Sequence, residues 1–212
     1  MSIDPRLLFL ARRTNEVRDR LFPGRGIRIA DIGCADGAFM EAVSSSIAGV
    51  EADGIDAPTP WLLREPAERR GRLFIQDLQL GTGVVPEGSY HIATMWEVIE
   101  HIENAYGFLG SVKKILAPGG ILLLSTPNLT GLSRFVKGGR WVGVAEKDHR
   151  HLFDALSISM LLEKAGFSEV RARSYFFPSL GKRMDRMNRI ASALPFGGMV
   201  FAEARKSEAV SA

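Results

Sequence analysis

The sequence predicts an α/β fold, a doubly wound and mostly parallel seven-stranded sheet with helices on both faces. Three observations predict it. Strand-length apolar runs alternate with segments of helical periodicity along the chain. The run GILLLS at 120–125 is apolar throughout, as expected of a strand buried on both faces. A glycine-rich turn also joins the first strand to the helix after it, and sheets of this kind bind ligands at the carboxyl ends of their strands. With 212 residues, a single domain spanning 1–212 is the expected organisation.

The elements follow in order. Residues 3–22 place Ile3, Leu7, Leu8, Leu10, Val17 and Leu21 among many arginines, an amphipathic helix stopped by Pro23-Gly24, so 1–24 reads as an N-terminal helix. Ile27–Ile32 is the first strand, followed by a helix at 37–48, a strand ending at Ile55, a helix near 60–70 and a strand at Arg72–Gln76. Tyr90–Met95 is the fourth strand, 104–116 a helix and Gly120–Ser125 the fifth strand. A helix at 155–165 and strands at Val170–Phe177 and Met199–Ala204 complete the fold, and the small, polar tail 206–212 is expected to fray.

Composition narrows the class. Apolar residues at 46% and charged residues at 24% are those of a globular chain, which removes disordered and fibrous readings. A net charge of +3 is compatible with anionic ligands without requiring nucleic acid. The single cysteine, Cys34, excludes an intramolecular disulfide and a cysteine-rich zinc site, so a cytoplasmic setting is expected. No signal-peptide core is present, and no segment holds the roughly 18 apolar residues that span a bilayer, so stable membrane insertion is not expected.

The chemistry concentrates at three strand ends. In Ile29-Ala30-Asp31-Ile32-Gly33-Cys34-Ala35-Asp36-Gly37 the glycines let a ligand approach the backbone where a Cβ would obstruct it, and a nucleoside suits that space. Asp56 follows the second strand, where a carboxylate can accept both hydroxyl hydrogens of a ribose. Asp77 follows the third, where it can accept from an adenine amino group with Leu78 beside the ring. Ala57, Met95 and Trp96 adjoin these strand ends and complete the expected wall. Each signal has a plainer reading as a turn or helix cap, but the three at successive strand ends reinforce one another.

With those residues in view, the chain resembles the class I S-adenosylmethionine-dependent methyltransferases from residue 27 to about 177, and is similar to the ubiquinone-biosynthesis O-methyltransferase-like group. The resemblance implies a Rossmann-like sheet. It implies that Asp31, Gly33, Cys34, Ala35 and Gly37 hold the methionine part of the cofactor, Asp56 the ribose and Asp77 the adenine. YHIATMWEVIEHI and LAPGGILLLSTPN resemble the family's fourth and fifth strands. Ala35 departs from the glycine usual there, an extra methyl that tightens the turn. A nicotinamide dehydrogenase fits less well, because D-x-G-x-A-x-G is not G-x-G-x-x-G.

E-V-I-E-H at 97–101 gives a possible metal face. On a helix the offsets of three and four place Glu97, Glu100 and His101 on one side, where they suit Mg²⁺, Mn²⁺ or Zn²⁺. His151 is the expected fourth ligand, with His149 in reserve. The string is similar to that of the ubiquinone-biosynthesis enzymes and of small-RNA 2′-O-methyltransferases, and His151-Leu-Phe153-Asp154 resembles the His-x-Phe-Glu of the latter. Without a metal, His101 or His151 is the expected general base.

Residues 127–150, with Phe135 and Trp141 among glycines and cations, are expected to cover a substrate. Residues 178–195 form a basic amphipathic helix with Leu180, Met184, Met187, Ile190 and Leu194 on its apolar stripe. The expected activity is methyl transfer from S-adenosylmethionine to an oxygen, less readily a nitrogen, of a small-molecule or lipid-like acceptor. The alternatives are a metal-dependent RNA ribose 2′-O-methyltransferase, less favoured because the charge is modest, and a non-catalytic S-adenosylmethionine-binding protein.

Overall fold

The computed structural model describes residues 4–46, 49–58, 72–176 and 195–208. Helix α1 (Pro5–Leu21) precedes β1 (Ile27–Ile32), α2 (Ala38–Ser46), β2 (Val50–Asp56), β3 (Arg72–Ile75) and β4 (Tyr90–Trp96). Then come α3 (Ala105–Ile115), β5 (Leu116–Pro127), the short helices α4 (Leu132–Lys137) and α5 (Val142–Ala145), α6 (Ala155–Lys164), β6 (Ser168–Tyr175) and β7 (Met199–Arg205). The helix expected near 60–70, the basic helix of 178–195 apart from Pro195, and residues 209–212 of the tail lie outside the described residues.

The seven strands form one sheet in the order β3-β2-β1-β4-β5-β7-β6. Pairs are parallel from β3 to β5, while β7 runs antiparallel to both β5 and β6. Strand order reverses between β1 and β4, and a crevice opens at such a switch point beyond the carboxyl ends. Register sets the two faces. Ile27 and Ile29 point to the face covered by Ala11 and Val17 of α1 and by Phe39 and Val43 of α2. Ala30 and Ile32 point to the opposite face, where Phe108, Leu109 and Val112 of α3 pack with Ile158 and Leu162 of α6.

Local chemistry fixes the helix ends that matter for the site. Asp4 accepts from Arg6 N at 2.8 Å and Pro5 opens α1, so the helix starts at the crevice. Asn104 accepts from Gly107 N at 3.0 Å at the start of α3. Asp154 and Ser157 form a capping box on α6, and the backbone N–H bonds hold the Asp154 carboxyl below the usual range. Strand β5 extends beyond the expected 120–125 because its pairing with β7 runs from Ile121↔Arg205 to Pro127↔Met199. Among the described residues no helix is long and apolar enough to cross a membrane.

Candidate active site

The turn after β1 is built on residues in the left-handed region. Gly33 has φ +76°, and a Cβ there would lie 2.4 Å from Val98 Cγ2, so this position requires glycine. Gly33 N donates to Ile55 O at 2.8 Å, and Gly37, at φ +77°, closes the turn onto Cys34 O. Ala35 also sits at positive φ, +46°, a conformation that costs an alanine about 1–2 kcal/mol. Asp56 offsets that strain: its Oδ2 accepts from Ala35 N and its Oδ1 from Ala57 N, both at 2.7 Å. The second strand end is therefore clamped onto the turn.

Asp31, only 2% exposed, accepts from Thr94 Oγ1 at 2.8 Å. Burial pushes its carboxyl up to about 7, with the nearby charge of Asp56 adding to the rise. Burial likewise pushes the Cys34 thiol well above its ordinary value. Asp31, Gly33, Cys34, Ala35 and Trp96 line a cleft of about 270 Å³ that is not blocked by protein atoms. The Trp96 indole stacks on Phe201 at 5.6 Å, and its buried N–H has no acceptor among the described residues.

Other expected residues stand elsewhere. Gly37, Asp56, Ala57, Asp77, Leu78 and Met95 do not line this cleft. Asp77 caps the turn Leu78–Leu80 by accepting from Gln79 N at 2.9 Å, the plainer of its two readings, and Leu78 is packed in the core. Met95 corrects the expectation outright. Strand alternation turns it into the fully buried core on the α3 face and leaves Trp96 facing the cleft. Sequence reasoning missed the opposite wall, which comes from Arg6, Leu7, Phe9 and Leu10 of α1 and from Tyr175 and Phe201. The amphipathic spacing of α1 was visible, but nothing local said what it would cover.

The E-V-I-E-H segment also departs from expectation. Glu97 has φ +55°, and only Ile99–His101 forms a short 3₁₀ turn, so the offsets of three and four do not share a helical face. Glu97 faces the cleft, whose walls raise its carboxyl above the usual range while Arg6, His149 and His101 oppose the rise. Glu100 points inward, 1% exposed, beside the buried Thr126 hydroxyl. Burial pushes it up to about 8.

The ligand atoms of Glu100, His101 and His149 lie within 4.8 Å of one another. His101 Nδ1 is 3.1 Å from Asp148 Oδ2, and the His101 and His149 rings pack edge to face at 4.6 Å. The grouping thus takes in the reserve histidine and leaves out Glu97 and His151. His151 Nε2 is engaged with Glu103 O at 3.1 Å. Neither His101 nor His151 lines the cleft.

A second cleft, of about 420 Å³, adjoins the first, and Arg6, Glu97, Phe176 and Met199 line both. Residues 127–150 supply its outer wall through Leu132, Ser133, Lys137, Trp141 and Val142. Trp141, 1% exposed, anchors that segment by lying against Gly143, where a Cβ would be 2.1 Å from the indole. Asn128 Nδ2 ties the base of the segment to Pro195 O and Gly197 O at 2.8 and 2.6 Å.

A methyltransferase-domain family model matches residues 7–172, more than half of the chain. The chain belongs to that family. The methyltransferase is 28% identical over 175 residues to the ubiquinone biosynthesis O-methyltransferase of Dinoroseobacter shibae, a match covering 79% of this chain and 70% of that enzyme. It is 28% identical over 137 residues to the enzyme of that name from Haemophilus ducreyi, with 61% and 57% covered. Its fold is that of the S-adenosylmethionine-dependent methyltransferase of Archaeoglobus fulgidus, at TM-score 0.67 and 17% identity over 94% of each chain. Phosphoethanolamine N-methyltransferase 2 of Haemonchus contortus, solved with S-adenosyl-L-methionine, matches at TM-score 0.65 and 16% identity over 93% of this chain and 53% of that one.

Proposed function

We propose that this methyltransferase acts on a hydroxyl oxygen of a small, largely apolar or lipid-like acceptor. The observation that carries this reading is the adjacency of the two clefts, with Glu97 in the lining of both. The first fits S-adenosylmethionine: the buried Asp31 carboxyl suits a cationic amino acid, Gly33 leaves room at the backbone, and the unpartnered Trp96 N–H offers a donor. When bound, the cofactor supplies an electrophilic methyl group on a sulfonium. Asp31, Gly33, Cys34 and Ala35 hold its methionine end in this reading, with Asp56 and Asp77 toward ribose and adenine. The second cleft, walled by Leu132, Trp141, Val142, Phe176, Phe196 and Met199, takes the acceptor beneath residues 127–150.

Glu97, common to both clefts and raised above the usual carboxylate range, receives the acceptor's proton as its oxygen forms the new bond to the methyl carbon. It takes the general-base role expected of His101 or His151. The curated relatives named for O-methylation support oxygen as the acceptor atom. The test is a screen of hydroxylated acceptors with labelled S-adenosylmethionine. A labelled O-methyl product is expected, with kcat about 10²-fold lower for Glu97→Gln. Label recovered only on nitrogen, or a Glu97→Gln enzyme of full activity, refutes the assignment.

A second element of the reading rests on the buried Glu100 carboxylate. With His101 and His149 it offers one oxygen and two nitrogen ligands, a donor set that fits a divalent cation such as Zn²⁺ or Mn²⁺. A bound cation would neutralise the buried carboxylate. Elemental analysis after dialysis against Zn²⁺ or Mn²⁺ should find one ion per chain, lost in Glu100→Ala and in His149→Ala and kept in His151→Ala. A chain that retains no ion removes the cation from the reading.

A further inference from the structure

Away from the cofactor cleft, arginines converge between helix α1 and the edge strand β6. Arg13 and Arg20 are seven residues apart and share a face of α1, while Arg171 and Arg173 alternate onto one face of β6. Together with Tyr175, Phe201 and Glu203 these four side chains line a cleft of about 150 Å³. The local carboxylates are committed. Glu203 pairs with Arg20, Glu16 with Arg13 at 2.7 Å, and Glu169 with Arg205 at 3.1 Å. Arg171 and Arg173 have no hydrogen bond or ion pair among the described residues. Arg13 donates from Nη2 to the Tyr175 hydroxyl at 3.2 Å, and its buried Nε–H has no acceptor.

Four guanidiniums converge on one concavity with a single carboxylate, that of Glu203, which stands opposite Arg171 across the β6–β7 pair and is already paired with Arg20, so positive charge is in excess there. Each guanidinium presents a planar fork of N–H donors that matches two oxygens of a tetrahedral oxyanion, and a phosphate monoester carries close to two negative charges near neutral pH. A carboxylate brings one charge and two oxygens, and so leaves one fork unmet. We propose that this cleft binds the phosphate group of a phosphorylated ligand, held between Arg171 and Arg173 of β6 and Arg13 and Arg20 of α1. The site is separate from methyl transfer but not remote from it, because Tyr175 and Phe201 line both clefts. An occupant would brace α1 against the sheet edge and so steady the wall that Phe9 and Leu10 give the cofactor cleft.

The phosphate could be free or carried on a lipid headgroup, and the test separates the two. Calorimetric titration with inorganic pyrophosphate at low salt should give saturable 1:1 binding that weakens as salt rises. The Arg171→Ala/Arg173→Ala double variant should bind at least about tenfold more weakly, with its affinity for S-adenosylhomocysteine and its melting temperature kept. In a second arm, wild type should be retained by phosphatidylcholine vesicles containing phosphatidic acid if the source is a headgroup, and the double variant released. Should the alanine pair fail to fold, Arg171→Lys/Arg173→Lys keeps the charge without the fork and should still lose affinity. Loss in either arm supports the site and names its source. Wild type bound by neither probe, or variants indistinguishable from wild type in both arms, overturns it.

Discussion

If Asp31 meets the cofactor as proposed, cofactor affinity is a function of pH. The Asp31 carboxyl is buried at the base of the cleft and raised from 3.8 to about 7, with burial the main cause and only the Thr94 hydroxyl bond opposing it. Ionising it in the empty protein therefore costs on the order of 4 kcal/mol more than in water. The cationic ammonium of a bound cofactor favours the ionised form and releases the proton. Below about pH 7 the dissociation constant for S-adenosylhomocysteine should fall by close to tenfold per unit rise in pH, and above it should level off. The sign for stability is the reverse. Between about pH 4 and 7 the folded empty chain keeps a proton that the unfolded chain has lost, so this group lowers stability as pH rises through that window. Calorimetry at about pH 6 in two buffers of different ionisation enthalpy should count close to one proton released, and at about pH 8.5 close to none. Asp31→Asn should abolish both the slope and the release. A wild-type affinity that stays flat across this range, or an Asp31→Asn variant that keeps the slope, would mean that Asp31 does not meet the cofactor's cation.

Three further outcomes test the turn. Asp56→Ala removes the acceptor of both Ala35 N and Ala57 N, so affinity for S-adenosylhomocysteine should drop by about 1–3 kcal/mol, and unchanged binding in calorimetry would show that the clamp is dispensable. Gly33→Ala places a methyl 2.4 Å from Val98 Cγ2 at a positive φ; urea denaturation should show a loss of about 2–4 kcal/mol, and a loss under about 0.5 kcal/mol would contradict the turn geometry. Cys34, buried and with its thiol raised by that burial, should react with a disulfide reagent far more slowly than free cysteine at pH 8 and more slowly still with S-adenosylhomocysteine bound. Fast modification regardless of ligand would place the thiol outside the cleft.

Much of the fold was legible because the signals that set it are local. The apolar run at 120–125 sits at the sheet centre, where every residue from Gly119 to Asn128 is buried, and Gly33 and Gly37 adopt the positive φ that a tight strand-to-helix turn demands. Asp56 was legible as a residue of the turn, since a carboxylate at a strand end finds backbone N–H groups nearby. The role of α1 was not, because its stripe of Leu7, Leu10 and Val17 states that a face is buried and is silent on which surface buries it. Met95 was misplaced for a related reason. Proximity in sequence to a strand end does not fix the face, and a one-residue step along β4 exchanges cleft for core.

The E-V-I-E-H segment shows where spacing arguments stop. Offsets of three and four bring side chains together only if the backbone between them is helical, and that condition fails at its first residue. Glu97 N still continues the sheet by donating to Ser125 O at 3.0 Å, and the chain then leaves β4 through a left-handed φ. Glu97 is therefore thrown toward the clefts and Glu100 into the interior, two carboxylates with separate surroundings and separate work. The choice between His149 and His151 turns on the partner strand of chain. Arg150 N and His151 N both donate to Glu100 O, at 2.7 and 3.1 Å, which pins this segment alongside the turn. Two successive N–H groups aimed at one carbonyl require a backbone that is not extended, so His149 and His151 do not share a face as residues i and i+2 of a strand would. With the segment bent over Glu100 O, the His149 ring packs on His101 and the His151 ring reaches Glu103 O, a placement that depends on backbone hydrogen bonds between segments about 50 residues apart.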